Sequence, residues 1–574
     1  MSSNITFVTS WFQIYNYIIE NRTIEWRLEH FKSILKTGIQ LCIYISHEYY
    51  DEIDTLSKEY TNLKIMKVMN LYETKIYKYC EKYKNSLPEI KNLLKDTFEY
   101  MVINHCKIEF VADVVEKNPY NSTHFSWIDF NITYIFKDLN ESLNHLKYIS
   151  SRTLKDKIFL IPGCYKEKLN KDYPIQQHAY WRFCGGFFLA DKDSIKELNE
   201  IYYDSLSEFL KEKECLVWEI NLWAWIEIHK NWNPKWYESD HNDSILHIPS
   251  ENYIECLNNK LKKVYYNYPN INENNNKIQY LSSSASYIYI QGKHILNTRF
   301  VNYSYTDEGL YSIRDKYNIL HTKNIFSELE TNTFIPNECK EMMDFSIELN
   351  STNCYSHGLE DLRLFEYNRK ICFISTNVNY STNGKNRMLI GEYNIEKLSY
   401  DNCKVLEPPT DTYCEKNWIP IVKTFVNDGD NENNKENKEE LYFIYSWSPM
   451  QIGKIGKDGK TLEIVQTYEI SKPIFKKVRG SSIFIEDGDT LLGIVHFSEE
   501  MKPRHYFHMI VRLEKNTFKP LSYSEPFCFQ HYGVEFCLGF TMKKEEYIFW
   551  ISKKDNDTVM VSINKNEIPV CNNI

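Results

Sequence analysis

The sequence predicts a multidomain chain: an α/β domain over residues 1–250, a linker over 251–279, and an all-β propeller over 280–574. Three observations predict it. The chain has 574 residues, about four times the commonest domain length of roughly 150, so two or more domains are expected. Before residue 250, strand-like and helix-like patterns alternate, as in an α/β sheet with ligands at the strand C-terminal ends. After about residue 280, helical periodicity nearly vanishes and short apolar runs separated by turn residues take its place.

Residues 5–10 read as a first strand and 41–46 as a second. Between them, Trp26, Leu28, Phe31 and Leu35 recur among charges at helical spacing. A longer helix is predicted over about 94–116, and the apolar stretch 123–130 then leads to an acidic tip. The segment 193–213 is amphipathic through Ile195, Leu198, Ile201, Leu206, Phe209 and Leu210, and 217–228 is an apolar helix rich in Trp. Residues 258–277, rich in Asn, Lys and Tyr, read as a linker or surface loop. Strand-like runs follow at 287–290, 370–375, 441–445, 491–497, 506–513, 546–551 and 559–563, with turns such as Glu486-Asp487-Gly488-Asp489 between them. This spacing suits a sandwich or a propeller. Roughly 300 residues exceed one ordinary sandwich and suit five four-stranded blades of about 60 residues each, although no crisp repeat marks them. Residues 428–440 read as a solvated hairpin loop.

Hydrophobic residues at 43% and charged residues at 25% exclude wholesale disorder. A formal net charge of −10 without a basic tail argues against nucleic acid or an anionic membrane as partner. No run approaches the roughly 18 apolar residues of a membrane helix, and residues 1–17 lack a basic n-region and a cleavage site. The 15 Cys contain no C-x-x-C pair, so reduced thiols in a cytoplasmic setting are expected and a zinc cluster is not. The Asn-, Lys- and Tyr-rich usage suggests an AT-rich genome, a large virus or a protist; for a virus the setting would be the host cytoplasm.

The first chemistry-bearing stretch is Asn104-His105-Cys106-Lys107-Ile108-Glu109-Phe110-Val111-Ala112, then Asn118-Pro119-Tyr120, then Phe125-Ser126-Trp127-Ile128-Asp129-Phe130-Asn131. A carboxylate at the end of an apolar strand can hold a divalent cation whose remaining face meets a diphosphate. Asp129 fits that role, and Asn131 is expected on the same side of an extended backbone. Alone, such an Asp reads more often as a turn or helix cap. Arg182-Phe183-Cys184-Gly185-Gly186-Phe187-Phe188 adds paired glycines that let backbone approach a ligand closely. Trp218-Glu219-Ile220-Asn221-Leu222-Trp223 sets a carboxylate and an amide in an apolar helix. Singly, these read as a strand turn and a buried, hydrogen-bonded Glu.

In this order the pieces resemble the HtrL/YibB and WlaTC-type glycosyltransferase family over roughly residues 6–249, through TFVT, NHCKIEFV, NPY, FSWIDF, GGFF and a late acidic motif before SDHNDSI. The resemblance implies a GT-A-like (Rossmann-like) fold. It also implies a hexosyltransferase that uses a UDP- or GDP-linked sugar donor, a glycan acceptor and Mn²⁺ or Mg²⁺. It places Asp129 at the metal- and donor-binding aspartate and Lys107 at a basic position. Thr9 and Asn131 fall among the donor-binding residues, and Gly185 and Gly186 at the wall of the sugar pocket. Glu219 would be the acidic group near the acceptor, taking the hydroxyl proton in an inverting reaction, and its Trp-rich surroundings would raise its pKa. His241 or His247 would supply a late metal ligand, although a His near a strand end is more often structural. The departing diphosphate gains negative charge, which the cation and Lys107 would stabilise. This chain departs from the family at Asn131, where Gly is usual, and at Glu219 and Asn221, where Asp-Gln is common.

In the second half, His357-Gly358-Leu359-Glu360-Asp361-Leu362-Arg363-Leu364-Phe365, Glu415-Lys416-Asn417-Trp418-Ile419-Pro420, Arg479-Gly480-Ser481-Ser482 and Tyr532-Gly533-Val534-Glu535-Phe536 stand out. Adjacent strand residues point oppositely, so only one of Glu360 and Asp361 is expected to face a given cavity. Arg363 is expected to share the side of Asp361 and either pair with it or bind an anion; a structural ion pair between blades reads equally well. With Arg299-Phe300-Val301-Asn302-Tyr303, these motifs resemble the five-bladed propeller family of β-mannoside phosphorylases and mannosidases over about residues 288–563. The resemblance implies a central funnel lined by Arg299, Asn302, Glu360, Asp361, Arg363, Lys416, Asn417, Arg479, His496 and Glu535, with Asp361 catalytic. Leu362 stands where that family has Pro. An anion pocket of Arg363, Lys416, Arg479 and His496 would favour phosphate or sugar phosphate, and a carboxylate pair would favour hydrolysis.

The expectation is therefore a bifunctional carbohydrate-active protein, a metal-dependent glycosyltransferase joined to a propeller that acts on the same glycan. Two alternatives stay open: the propeller is a glycan-binding module without activity, or both halves serve only as an interaction protein.

Overall fold

The computed structural model describes residues 4–15, 22–152, 154–268, 278–306, 308–351, 355–381, 384–426, 437–501, 503–568 and 571–574. The chain divides into two compact units, Met1–Tyr253 and Ile254–Ile574.

The first unit is built on a seven-stranded sheet. Its elements are β1 (Ile5–Trp11), α1 (Ile24–Leu35), β2 (Gln40–Ile45), α2 (Tyr50–Glu59), β3 (Leu63–Val68), α3 (Lys75–Cys80), α4 (Phe98–Lys117), β4 (His124–Ile128), α5 (Leu139–Ser150), β5 (Phe159–Gly163), β6 (Phe187–Asp191), α6 (Lys192–Lys213), α7 (Glu219–His229) and β7 (Lys235–Glu238). The strand order is β3-β2-β1-β4-β6-β5-β7. Every neighbouring pair is parallel except those involving β6, which runs against β4 and β5. The order reverses between β1 and β4, the kind of place where open α/β sheets bind ligands outside the strand C-terminal ends.

Consecutive residues of β1 show why this sheet is buried on both faces. Phe7 packs with Phe31, Ile43, Ile128 and Leu189 in one apolar layer, while Val8 packs with Phe110, Trp127, Phe188 and Trp223 in the other. Helix α4 starts four residues later than its periodicity suggests. The Asn92 side chain takes the N–H groups of Leu94 and Lys95, which makes a turn there. Thr97 then caps the helix by accepting from Tyr100 N–H at 3.2 Å. At the other end Asn118 closes the helix with φ 36°.

Asn131 does not share the side of Asp129. The strand ends at Ile128, and Asn131 (φ −109°, ψ 27°) opens a short 3-10 turn over Ile132–Ile135. Its amide turns to α1, where Arg27 Nη1 donates to Oδ1 at 3.0 Å and Nδ2 donates to the Arg27 carbonyl at 2.9 Å.

The second unit is mostly β, with antiparallel sheets in a propeller-like arrangement. Leu281–Ile290, Lys293–Val301, Leu320–Leu329 and Pro336–Glu341 pair in that order. Next come Glu360–Tyr367, Lys370–Asn377, Arg387–Asn394 and Ser399–Leu406, and then Ile419–Val426, Asn437–Trp447, Met450–Ile455 and Leu462–Tyr468. A larger sheet is centred on Thr490–Glu499 and His505–Glu514. The last joins Glu535–Met542, Glu546–Lys553 and Asn556–Asn564 to Lys262–Tyr265. Leu281–Ile290 packs against both Glu360–Tyr367 and Glu535–Met542. Its run Ser282-Ser283-Ser284-Ala285-Ser286 keeps side chains small there, and the Ser286 hydroxyl accepts from Leu364 N–H at 2.9 Å.

Two expectations need correction. The segment 251–279 is not only a linker: Glu255–Cys256 and Lys262–Tyr265 are strands, the latter pairing with residues 559–562. Of the loop expected over 428–440, residues 437–440 belong to the strand Asn437–Trp447, and 428–436 lie outside the described residues. No helix among the described residues is long and apolar enough to cross a membrane.

Candidate functional site

In the first unit the reversed direction of β6 brings residues from four elements together. The register Ile128↔Phe187 sets Asp129 opposite Gly186, and Asp129 N–H donates to the Gly186 carbonyl at 3.0 Å. Lys107, from the middle of α4, reaches the same point. Its Nζ donates to the Gly185 carbonyl at 2.8 Å and to Glu219 Oε1 at 2.7 Å, and lies 3.5 Å from Asp129 Oδ1. Trp127 Nε1 donates to that same Oδ1 at 2.7 Å. Burial opposes the Lys107 charge, but Asp129 and Glu219 outweigh it and raise its basicity.

Gly185 is glycine because of this cluster: a Cβ there would stand 2.1 Å from Glu219 Oε1 and 3.1 Å from Lys107 Nζ. At Gly186 a Cβ would meet Ile132 Cδ1 at 3.2 Å and Asp129 Oδ2 at 3.4 Å. Side-chain exposure separates the roles. Lys107 is 4% exposed and Glu219 5%, whereas Asp129 is 47% exposed. The ammonium is spent on protein oxygens, so Asp129 is the group of the three that meets solvent. Two carboxylates against one ammonium leave a formal charge of −1, which favours a cation.

One oxygen of this cluster is free to meet a divalent ion. Asp129 Oδ2 is a hard oxygen donor suited to Mg²⁺ or Mn²⁺ when a diphosphate fills most of the coordination sphere. It is not part of a protein cage, since the one group of three metal-binding side chains among the described residues is Cys164, Cys184 and His241. His241, expected as a late ligand, stands with those cysteines. His247 meets His145 of α5, ring centroids 5.4 Å apart. Thr9 is fully buried at mid-strand, so no ligand reaches it in this structure.

The second unit gathers three carboxylates around one guanidinium. Arg299 Nη1 donates to Asp361 Oδ1 at 3.0 Å, and its Nη2 lies 3.7 Å from Glu360 Oε2 and 3.3 Å from the Tyr303 hydroxyl. Tyr303 donates in turn to Asp555 Oδ2 at 3.1 Å. Both Glu360 and Asp361 thus reach Arg299, contrary to the strand-alternation expectation. The register shifts between Glu360 and Arg363, and Asp361 sits at φ 49° in the left-handed region, so the bulge turns both side chains to one side. Burial pushes the Asp555 carboxyl up, Arg299 pulls it down, and Asp361 and Glu360 add to the rise; the net shift is upward.

Arg363 does not pair with the Asp361 carboxylate. It is fully buried, donating to the Ser481 carbonyl at 2.6 Å, the Asp361 carbonyl at 3.0 Å and Asn417 Oδ1 at 3.0 Å. Burial lowers its pKa to about 10. His496, buried and 3.0 Å from the Ser481 hydroxyl through Nδ1, is driven well below the usual range by burial, then by its neighbour His508 and by the positive charges of Arg363, Lys416 and Arg479. Lys416 and Arg479 are exposed. Tyr506 links the two sets: it stacks on His496 at 5.7 Å and its phenol feels both Asp555 and Asp361.

Two expected funnel residues are structural. Glu535 is fully buried and accepts from Phe529 and Gln530 N–H, and Asn302 is buried with its amide spent on the Ile319 carbonyl and His321 N–H.

No family model matches the sequence, and no curated protein matches it. Solved structures do. A β-1,2-mannobiose phosphorylase from Listeria innocua is similar at 10% identity, over 52% of this chain and 93% of that one, with a TM-score of 0.36. A mannose phosphorylase from Leishmania mexicana is similar at 13% identity over 53% and 89%, with a TM-score of 0.32. A GDP-Man-dependent mannosyltransferase from Leishmania mexicana is similar at 14% identity over 53% and 90%, with a TM-score of 0.33.

Asp555 is the residue that reading the sequence missed. Lys553-Lys554-Asp555-Asn556-Asp557 reads as a solvated hairpin turn, and nothing local shows that the turn faces Arg299.

Proposed function

We propose that the second unit makes or breaks glycosidic bonds with phosphate as the partner anion, on five blades formed by its sheets in chain order. The carrying observation is the convergence of Glu360, Asp361 and Asp555 on Arg299, linked through Tyr506 to the neutral His496 and, beside it, the cations Lys416 and Arg479. Asp555, whose carboxyl is raised, would donate a proton to the departing glycosidic oxygen. A phosphate held by Lys416 and Arg479 would attack the anomeric carbon, so the C–O bond to the leaving sugar breaks and a C–O–P bond forms. Asp361, fixed by Arg299 and by Ser284 at 3.2 Å, would orient the sugar hydroxyls. Buried Arg363 and Asn417 would shape this pocket rather than touch the anion.

The first unit is proposed as a GT-A-like hexosyltransferase acting on a nucleotide-diphospho-sugar. The sheet order, its reversal between β1 and β4, and the half-exposed Asp129 at that reversal support this reading. A divalent cation bound through Asp129 would supply positive charge to the leaving diphosphate. Lys107 holds the Gly185 carbonyl and Glu219 in place, and Glu219 acts through Lys107 as a positioning residue.

The test is the full chain incubated with a panel of β-mannosides and inorganic phosphate, reading sugar phosphate release. Asp555→Asn should reduce release by about 10²–10⁴-fold, and Asp361→Asn should also reduce it. Absence of sugar phosphate across the panel rejects phosphorolysis; thermal protection by an oligosaccharide in that case assigns the unit as a glycan-binding module. A nucleotide-sugar panel with Mn²⁺, reading nucleotide diphosphate release, tests the first unit. Asp129→Asn should abolish turnover with the fold intact, and full retained transfer would remove the assignment.

A further inference from the structure

Three soft-metal donors meet where the chain leaves β5 and β7 and approaches β6. Cys164 follows the last residue of β5, Cys184 directly precedes Gly185, and His241 lies just beyond β7. Cys164 Sγ is 3.8 Å from Cys184 Sγ and 3.9 Å from His241 Nε2, and the three donor atoms lie within 4.8 Å of one another. The first two separations match those of a tetrahedral zinc site. Two thiolates on a tetrahedral zinc, each about 2.3 Å from the ion, stand about 3.8 Å apart, and a thiolate and an imidazole nitrogen about 3.6 Å apart. A disulfide would need sulfurs at about 2.05 Å.

The scaffold that presents the donors is fixed by backbone hydrogen bonds. Cys184 N–H donates to the Pro162 carbonyl at 2.7 Å, Cys164 N–H to the Trp181 carbonyl at 3.0 Å, and Ser239 N–H to the Gly163 carbonyl at 2.9 Å. Ser239 Oγ lies 3.7 Å from Cys184 Sγ, placed to donate to a thiolate, and the His241 ring stands edge-on to Trp181 at 4.2 Å. Cys184 is buried, Cys164 half-buried and His241 exposed, so a fourth position would open to solvent.

We propose that Cys164, Cys184 and His241 bind a zinc ion through three protein ligands, leaving its fourth position to water or a small anion. Sulfur and imidazole donors select zinc over magnesium, manganese or calcium. This ion is distinct from the oxygen-bound cation proposed at Asp129, and the site stands whether or not the first unit transfers sugars. Because Cys184 adjoins Gly185, the ion would brace the segment whose carbonyl holds Lys107.

The experiment is metal analysis of the full chain, purified under reductant, exposed to excess zinc and dialysed. About one zinc per chain is expected, absent in Cys164→Ser and Cys184→Ser, with affinity at least tenfold weaker in His241→Ala. Cobalt should give visible bands of tetrahedral geometry and a thiolate-to-metal charge-transfer band. His241→Ala alters an exposed side chain, so it reports even where Cys184→Ser fails to fold. No zinc uptake by the reduced chain, unchanged affinity in both Cys164→Ser and His241→Ala, or a cobalt spectrum without the charge-transfer band would each overturn the site.

Discussion

A buried ammonium between two carboxylates holds only while its partners remain. Lys107→Met would leave Glu219 buried and unpaired, at an expected cost of roughly 3–5 kcal/mol in denaturant unfolding of the full chain. The double variant Lys107→Met/Glu219→Gln, which removes the stranded charge, should recover a measurable part; a double variant no more stable than the single one would mean that pairing is not the cause. His105, two residues earlier, sets a pH dependence. Its Nε2–H donates to the Val217 carbonyl at 2.8 Å, its Nδ1 accepts from the Tyr202 hydroxyl at 2.7 Å, and burial lowers its pKa to about 4. An unfolded His takes up its proton near pH 6.5, so the unfolded state binds more protons between that value and about 4. Stability should fall across that window by up to about 1.4 kcal/mol per pH unit, then lose nothing further to this group. Unfolding midpoints at pH 7, 6, 5 and 4.5 check it: His105→Gln should flatten the slope relative to the parent chain. At this scale the sequence names Asp129, Lys107, Gly185 and Glu219 but not their pairing, because hydrogen-bond partners on α4, α7 and the approach to β6 lie far apart in the chain. The soft-donor cluster is invisible for the same reason: its ligands come from three strand ends with no C-x-x-C spacing.

Among the elements, strands are legible wherever apolar residues recur between turn signals, as at Lys370–Asn377 and Asn556–Asn564. What alternation cannot show is a break in itself. The bulge at Glu360–Arg363 admits one residue with positive φ, and that residue is Asp361. Asn tolerates the left-handed region and Ala does not. Asp361→Asn should therefore melt within a few degrees of the parent chain, whereas Asp361→Ala should lose about 1–2 kcal/mol more. Both should lose sugar phosphate release, so melting separates backbone strain from the missing carboxylate. Helix starts are limited in the same way: periodicity extends α4 back to residue 94, and only the Asn92 turn and the Thr97 cap place its true beginning.

For the whole molecule, the change of texture between residues 250 and 280 marks where the two kinds of architecture meet, because helical periodicity stops there. The closure of the second unit leaves no such mark. Lys262–Tyr265 precedes every other strand of its sheet in the chain yet pairs with Asn556–Asn564, and no local pattern encodes a partner so distant. A chain starting at residue 254 should unfold in one cooperative transition. One starting at residue 267 should melt lower and bind a hydrophobic dye, because both Glu255–Cys256 and Lys262–Tyr265 are lost and the edges they cover at Phe527–Cys528 and Asn556–Asn564 are left bare; equal melting of the two would show that these strands contribute nothing. Translation gives this pairing a temporal meaning. The short strand leaves the ribosome early and waits, its amides and carbonyls unmatched, until the last hairpin emerges. A nascent chain stalled before residues 556–564 emerge would therefore present an open seam for chaperones to guard.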